Sequence, residues 1–418
     1  MSGPVTRSTA EAFEVNFEFD ELIYSRTDTR GVIVSGNGVF QRMTAIPWRD
    51  LIGSPHRVIR HADMPKGFFH IFWSLLKQGE PAVGYVRNQR ADGGAYWVLA
   101  AAMPCEGGYF SVRLRPSAQL FETVKPIYAA LRRRELAEGL TSEQSAEALL
   151  ATLREMGFAN YGAFAAHALT EETRARNHQL RRANDRSLEA QQRLVSLLEE
   201  TLAEQARLIA LFADLLILPV NMRLAAARLE PQGGPLSQIS VNYKISSEEI
   251  SRRLSSFVSG EANLCAQMAH AVRRSLVLSG CARMQDELVD NYDRLRNTYD
   301  GPERRVELPR LMAVRDENTA TARASLDQAA RLAQVLNEAS MDLRRMILGL
   351  DTIRILARVE SRKSAESQDA LTATIDRIDA VQGSISESLK VMMDRTVAID
   401  HSLSDLRGSG GSGRIAAE

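Results

Sequence analysis

Tyr85-Val86-Arg87-Asn88-Gln89-Arg90 is followed by Asp92-Gly93-Gly94 and then by Tyr96-Trp97-Val98-Leu99-Ala100-Ala101-Ala102-Met103. Two β-rich runs flank a cluster of turn residues, which predicts a hairpin. A further run, Tyr109–Leu114, alternates until Pro116 ends it, because proline cannot donate to a strand ladder. Working back toward the N-terminus, Phe68, Ile71, Phe72, Leu75 and Leu76 recur at helical spacing within Met64–Gln78. Gly31–Val34 reads as a short strand, and Gly36-Asn37-Gly38 as a turn into a short helix around Val39–Thr44. The order is strand, small helices, longer helix, then three strands. It predicts an α+β domain in which an antiparallel sheet cups helices on one face, and such a cup can hold a ligand.

The chain has 418 residues, of which 44% are hydrophobic and 25% charged, so it is neither disordered nor confined to one small core. Lys+Arg and Asp+Glu are 52 each, and the zero balance argues against a nucleic-acid binder driven by counterion release. Cys105, Cys265 and Cys281 form neither a CxxC nor a framework spacing, and read as reduced thiols of a cytoplasmic protein. Met1–Ala10 is polar, and the most apolar stretch, Leu208–Val220, is too short for a bilayer and contains Asp214. A soluble protein without a membrane-spanning segment is expected.

Near residue 117 the composition shifts. All three tryptophans (Trp48, Trp73, Trp97) precede it, and Ala, Leu, Arg, Glu and Ser at helical periodicity follow it. The expected division is a sensor domain at 20–116, an exit helix at 117–136, a helical connector at 137–170, a long helical bundle at 171–406 and a flexible tail at 407–418. Within the bundle, long stretches run from about Thr170 to Arg228, Ser237 to Thr298, Leu308 to Glu360 and Ala365 to Leu406. Breaks are expected at 231–235, 300–302 and 361–364. The last stretch carries a heptad seam with alternating four-three spacing: Leu371, Ile375, Ile378, Gln382, Ile385, Leu389, Met392, Thr396, Ile399, Leu403 and Leu406. That pattern is the a/d seam of a coiled coil. Short connections make the helices of such a bundle antiparallel neighbours. Ile217-Leu218 and Ala227-Arg228-Leu229-Glu230 recur at one constant offset as Ile347-Leu348 and Ala357-Arg358-Val359-Glu360, which would make the bundle a pair of equivalent hairpins.

Ile59-Arg60-His61-Ala62-Asp63-Met64-Pro65-Lys66, then Trp73, Lys77-Gln78-Gly79-Glu80-Pro81, Val86-Arg87-Asn88, Asp92-Gly93 and Tyr96-Trp97-Val98 form an ordered set. Thr27-Asp28 and Asn37-Gly38-Val39-Phe40 lie upstream of it, with Ser111-Val112-Arg113 and Val124-Lys125-Pro126-Ile127-Tyr128-Ala129-Ala130-Leu131 downstream. The set resembles the PAS domain of bacterial aerotaxis receptors over roughly residues 20–135. The resemblance implies a PAS fold with a non-covalent FAD. It implies cofactor-binding roles for Asn37, Arg60, His61, Asp63 and Trp73. Arginine offers a planar fork of donors, tryptophan a stacking surface and asparagine an amide partner. A local reading competes with it: Asp63 sits where the N-cap of the following helix belongs. Haem, with His56, His61 or His70 as axial ligand, ranks below flavin. The sequence departs from the family at Thr44-Ala45-Ile46, where Ser-Gly-Tyr is usual.

Asn221-Met222-Arg223-Leu224-Ala225-Ala226-Ala227-Arg228 followed by Gly233-Gly234 resembles a degenerate chemoreceptor hairpin tip. That resemblance implies a signalling partner such as the chemotaxis histidine kinase or its coupling protein. Gln191-Gln192 and Glu199-Glu200 look like methylation pairs, but on a charged helix such pairs are mostly a solvated face. No GxxxxGK[ST], HExxH, GxSxG or kinase signature set occurs, so an enzyme is not expected. Two functions follow: a cytoplasmic redox or oxygen transducer of the aerotaxis kind, or a non-enzymatic scaffold that self-associates through its PAS domain.

Overall fold

The computed structural model describes residues 13–229, 234–292, 304–361 and 368–409. Five strands form one antiparallel sheet: β1 (Ile23–Asp28), β2 (Ile33–Gly36), β3 (Ala82–Gln89), β4 (Ala95–Cys105) and β5 (Gly108–Leu114), in the spatial order β2-β1-β5-β4-β3. The predicted hairpin is present, with Tyr85 opposite Leu99 and Gln89 opposite Ala95. Interior strand β1 is the element that the reading of the sequence lacked. It pairs with both β2 and β5, and a register irregularity falls at Arg26/Thr27. Both of its faces are covered, and polar side chains stand on each, so no alternation of apolar and polar residues betrays it.

Three short helical segments cross from β2 toward β3: α1 (Gly38–Thr44), α2 (Trp48–Leu51) and a 3-10 turn at His56–Ile59. The 12-residue helix α3 (Lys66–Lys77) follows them. Ala45 ends α1 at φ 55°, a left-handed conformation that costs a residue with a Cβ about 1 kcal/mol, at the position of the family's glycine. Helix α3 starts two residues later than its apolar spacing predicts, and Asp63 does not cap it. Pro65 holds the cap position without a side-chain hydrogen bond. The cap comes instead from Glu135 in α4 (Gln119–Glu138), whose carboxylate accepts from Lys66 N (2.6 Å) and Gly67 N (3.4 Å). Next come α5 (Ser142–Glu155), opened by a Thr141/Gln144 capping box, and α6 (Tyr161–Gln179).

The later helices are α7 (Arg186–Leu229), α8 (Pro235–Val258), α9 (Leu264–Asp290), α10 (Arg304–Ser361) and α11 (Gln368–Ser409). Two breaks interrupt stretches expected to be continuous. One lies at 180–185, where Arg181 adopts φ 54°. The other surrounds the 3-10 turn Gly260–Ala262, after which Asn263 accepts from Ala266 N (3.0 Å) and restarts the helix. The expected break at 300–302, most of those at 231–235 and 361–364, and the tail beyond Ser409 lie outside the described residues. Residues 407–409 belong to α11, not to a linker. Among the described residues no helix is long and apolar enough to cross a membrane.

Packing divides the chain into two units that ignore chain order: residues 1–192 with 273–325, and 193–272 with 326–418. In the second unit the ion pairs Arg407–Asp327, Arg354–Asp379 and Arg358–Asp376 climb α11 as they descend α10, so the two are antiparallel. Arg395–Glu200 and Ser388–Glu204 pair α11 with α7 in the same sense. Arg253–Asp342 joins α8 to α10. One chain thus supplies four helices of the second unit, with α11 antiparallel to both α7 and α10. Ile375 through Leu406 of the seam are buried, Gln382 and Thr396 included. The internal echo is not reproduced in three dimensions. Ile217 is 60% exposed and Leu218 3%, whereas Ile347 is 3% and Leu348 59% exposed. A one-residue phase difference turns equivalent letters to opposite sides of their helices.

In the first unit one sheet face holds a cavity, described below. The other is covered by α6, by α9 from Arg273 and by α10 to Ser325. Polar groups lock this second face. Tyr85 Oη donates to Glu172 (2.9 Å), and Asn318 Nδ2 donates to Gln285 Oε1 (3.0 Å) beside Met103 Sδ. Arg176 grips Glu287 through both terminal nitrogens (2.6 and 2.9 Å). Burial pushes the carboxyls of Glu135, Glu287 and Glu307 up, but hydrogen bonds from arginines, hydroxyls and backbone amides outweigh it and leave all three below the usual range. A lowered folded pKa gives stability that is present above the unfolded value of about 4.3 and lost as pH falls through the folded one. Glu172, raised by burial, works in the opposite direction, since acidification relieves its cost. Thermal melts are therefore expected to be flat from pH 7 to about 5 and to drop steeply below about 4. A midpoint still constant at pH 3 contradicts the pairing of these three carboxylates.

Candidate functional site

The concave sheet face is built by the period-two rule: alternate residues of each strand point to the same side. Ser25 and Thr27 of β1 lie opposite Ser111 and Tyr109 of β5, and Arg113 lies opposite Ala100 of β4. Together with Val86 and Asn88 of β3 they floor a cavity of about 520 Å³. Helix α3 roofs it with Phe68, Phe69, Phe72 and Trp73. The mouth carries Arg30, Gly31, His56, Arg57 and Arg60. Small Ala100 and Ala102 leave the room that longer strand residues would fill. Gly31 is required: its φ is +77°, and a Cβ there would stand 3.1 Å from Trp73 Cη2.

Arg113 is the electrostatic centre. It is 3% exposed, and its Nη2 donates to Ser25 Oγ (2.9 Å) and lies 2.7 Å from His56 Nε2. Burial lowers the Arg113 guanidinium to about 10. Burial, then the Arg113 and Arg60 charges, lower His56 to about 3, so His56 is neutral and accepts through Nε2. Its ring stacks on Phe40 at 6.2 Å and 12°. Arg113 Nη1, Asn88 Nδ2 and Thr27 Oγ1 are buried and make no hydrogen bond among the described residues. Three unpaired polar atoms around one aromatic-roofed cavity are costly unless a ligand meets them. No carboxylate lines the cavity among the described residues, whereas four arginines do.

The structure separates the five residues named from the sequence. Arg60 and Trp73 line the cavity. The Arg60 guanidinium lies 3.2 Å from the Phe69 ring centroid, and burial, then Arg132, lower its pKa to about 10. Trp73 meets Tyr109 edge-on at 5.4 Å. Asn37, His61 and Asp63 are not among the cavity residues. Asn37 Oδ1 accepts from Tyr24 N and Phe40 N (both 3.1 Å), and its Nδ2 donates to Leu22 O (2.8 Å), which ties α1 to β1. His61 Nδ1 accepts from Asp63 N (3.1 Å), and Asp63 pairs with Arg87 (2.9 Å). Of the histidines weighed as haem ligands, His56 is on the wall but engaged with Arg113. His70 lies 3.7 Å from Glu143 outside the cavity. Sequence reading missed Arg113, Asn88 and Thr27. The available signals were the places of Asn88 and Arg113 in the matched set and an arginine between Val112 and Leu114 near the end of a strand.

The PAS fold family matches residues 33–108, which contain the roof and parts of the floor and mouth of this cavity. Residues 33–108 form a PAS domain. Over 117 residues the chain is 40% identical to the aerotaxis receptor of Escherichia coli (strain K12), covering 27% of this chain and 23% of that protein. Over 98 residues it is 30% identical to the nitrogen fixation regulatory protein of Klebsiella oxytoca, covering 23% of this chain and 20% of that protein. The chain thus spans under a quarter of the length of these curated relatives. A crystal structure of the PAS domain of a Colwellia psychrerythraea protein aligns over 22% of this chain and 85% of that one, at 19% identity and a TM-score of 0.20. The PAS domain here is embedded in a larger helical unit, and most of the remaining chain is helical.

Proposed function

We propose that this chain is a non-enzymatic sensory transducer whose PAS cavity holds a flavin and whose helices carry the output to a signalling partner. One observation supports it above all: Arg113 and Asn88, each with a buried nitrogen that has no partner among the described residues, line an aromatic-roofed cavity inside a domain 40% identical to an aerotaxis receptor. A cavity of about 520 Å³ falls within the range of small-molecule sites. Trp73, Phe69 and Tyr109 offer faces and edges to a planar ring system. Arg113, Asn88 and Thr27 would meet ring oxygens and nitrogens, and Arg60 the more exposed end of the ligand. A bound flavin supplies one- and two-electron redox chemistry. The chain's own residues orient the ring, exclude water from it and place positive charge beside it. The partner expected on the same resemblance is a chemotaxis-type kinase or its coupling protein, reached without a membrane-spanning helix among the described residues.

The test is an absorption spectrum of freshly purified full-length protein. Flavin bands that bleach with dithionite are expected. A Soret band replaces flavin by haem. A colourless protein that does not take up FAD and associates strongly with itself overturns the sensor reading in favour of the scaffold.

A further inference from the structure

Strand β1 has two occupied faces. On the cavity side Ser25 accepts from Arg113 and Thr27 presents its unpaired hydroxyl. On the opposite side Tyr24 and Arg26 both engage one residue of α10, Glu307. Arg26 Nε and Nη2 donate to the two carboxylate oxygens (3.1 and 3.3 Å), and Tyr24 Oη donates to Glu307 Oε1. The Glu307 side chain is 2% exposed. Residues of the two sets alternate along the strand, so each peptide unit from Tyr24 to Thr27 joins a cavity-side residue to a helix contact.

We propose that Glu307 is the positioning residue through which α10 reads the state of the PAS cavity. A buried carboxylate is tolerated only while its partners stay in place. A small shift of β1, produced where Arg113 or Thr27 meets a ligand, moves Tyr24 and Arg26 against a group that has no solvent to fall back on. Packed contacts of this sort have discrete arrangements and do not yield smoothly. The helix runs on to Ser361, so its first turns stand at the input end of a 58-residue element. The inference rests on the cavity being the input site, not on which ligand fills it.

The test is a thermodynamic cycle on the full chain without ligand, read by hydrogen exchange in peptides from residues 304–325, with α5 as control. The proteins are wild type, Arg113→Met, Glu307→Gln and the double variant. Arg113→Met changes a β5 side chain that reaches β1 only on its cavity side, through Ser25, yet exchange at 304–325 is expected to rise at least fivefold while α5 is unchanged or better protected. Glu307→Gln alone raises the same peptides, and adding Arg113→Met to it gives no further rise. Tyr24→Phe, which deletes a single hydroxyl, is expected to fall between wild type and Glu307→Gln. It replaces that variant in the cycle should the latter not fold. An Arg113→Met protein whose 304–325 exchange stays within twofold of wild type overturns the proposal. So do single effects that multiply independently in the double variant. A protein that takes up no FAD refutes the flavin reading and leaves the outcome of the exchange cycle unaffected.

Discussion

On the proposed flavin reading, Arg113→Met is expected to strip the cofactor from the protein while leaving it as stable as wild type or more so. The two effects have one origin. The guanidinium is buried with a serine, a neutral histidine and no carboxylate among its hydrogen-bond partners, so the folded protein bears an uncompensated cation. Replacing a buried charge by an apolar side chain of similar length is commonly neutral or stabilising by about 1 kcal/mol or more. The ligand loses a charge-assisted hydrogen bond worth about 1.5–3 kcal/mol, which is roughly a 10- to 100-fold loss of affinity. FAD titration by fluorescence quenching, together with thermal melts, measures both. Undiminished FAD affinity would remove Arg113 from the site. A large fall in melting temperature would mean that the residue serves the fold instead. Stability given up for binding is what a ligand site is expected to display.

The largest loss of stability is expected at Glu135. Its side chain is fully buried, and it accepts from Lys66 N, Gly67 N and Ser145 Oγ (2.5 Å) while paired with Arg132 (2.7 Å). It therefore caps α3 from outside that helix and fixes α4 and α5 against it. Gly67 shows how close this junction is: a Cβ there would stand 2.3 Å from the Ser145 carbonyl carbon. No water can replace the carboxylate without opening the crossing. Glu135→Ala leaves buried donors and an arginine without their acceptor, at a cost of about 3–5 kcal/mol. Urea unfolding of the full chain measures it. A loss below about 1 kcal/mol would mean that α3, and with it the cavity roof, is held by other contacts.

The parts legible in the sequence are those whose side chains obey one period. The β3–β4 hairpin announced itself through Asp92-Gly93-Gly94 between alternating runs. The seam of α11 did so through four-three spacing that tolerated Gln382 and Thr396. Strand β1 was illegible because Tyr24 and Arg26 are polar on one buried face while Ser25 and Thr27 are polar on the other. The turn at 180–185 has no glycine or proline; Arg181 takes the left-handed conformation itself. The turn at Gly260 did carry signals, a glycine and the capping Asn263, but a single glycine inside a helical pattern is weak punctuation. In the site, Arg60 and Trp73 were found because the resemblance reaches them. Asn37, His61 and Asp63 occupy their own backbone and near neighbours, and no local pattern distinguishes a residue that binds a ligand from one that binds its own loop. Arg113 becomes meaningful only when β1, absent from the sequence reading, brings Ser25 beside it.

The sheet is complete in the growing chain by Leu114, yet part of its second face waits for Glu307 and Asn318. At about 5–20 residues per second, translation leaves Tyr24 and Met103 without these partners for roughly 10–40 s. During that interval α6 can cover Tyr85, but the β1 and β5 region stands open beside the ribosome. A nascent chain arrested between α6 and α10 is thus a natural client for a holdase, and a fragment ending at residue 179 inherits the same bare surface permanently. Delivery of α9 and the first turns of α10 is the step that turns an adhesive half-sandwich into a closed one.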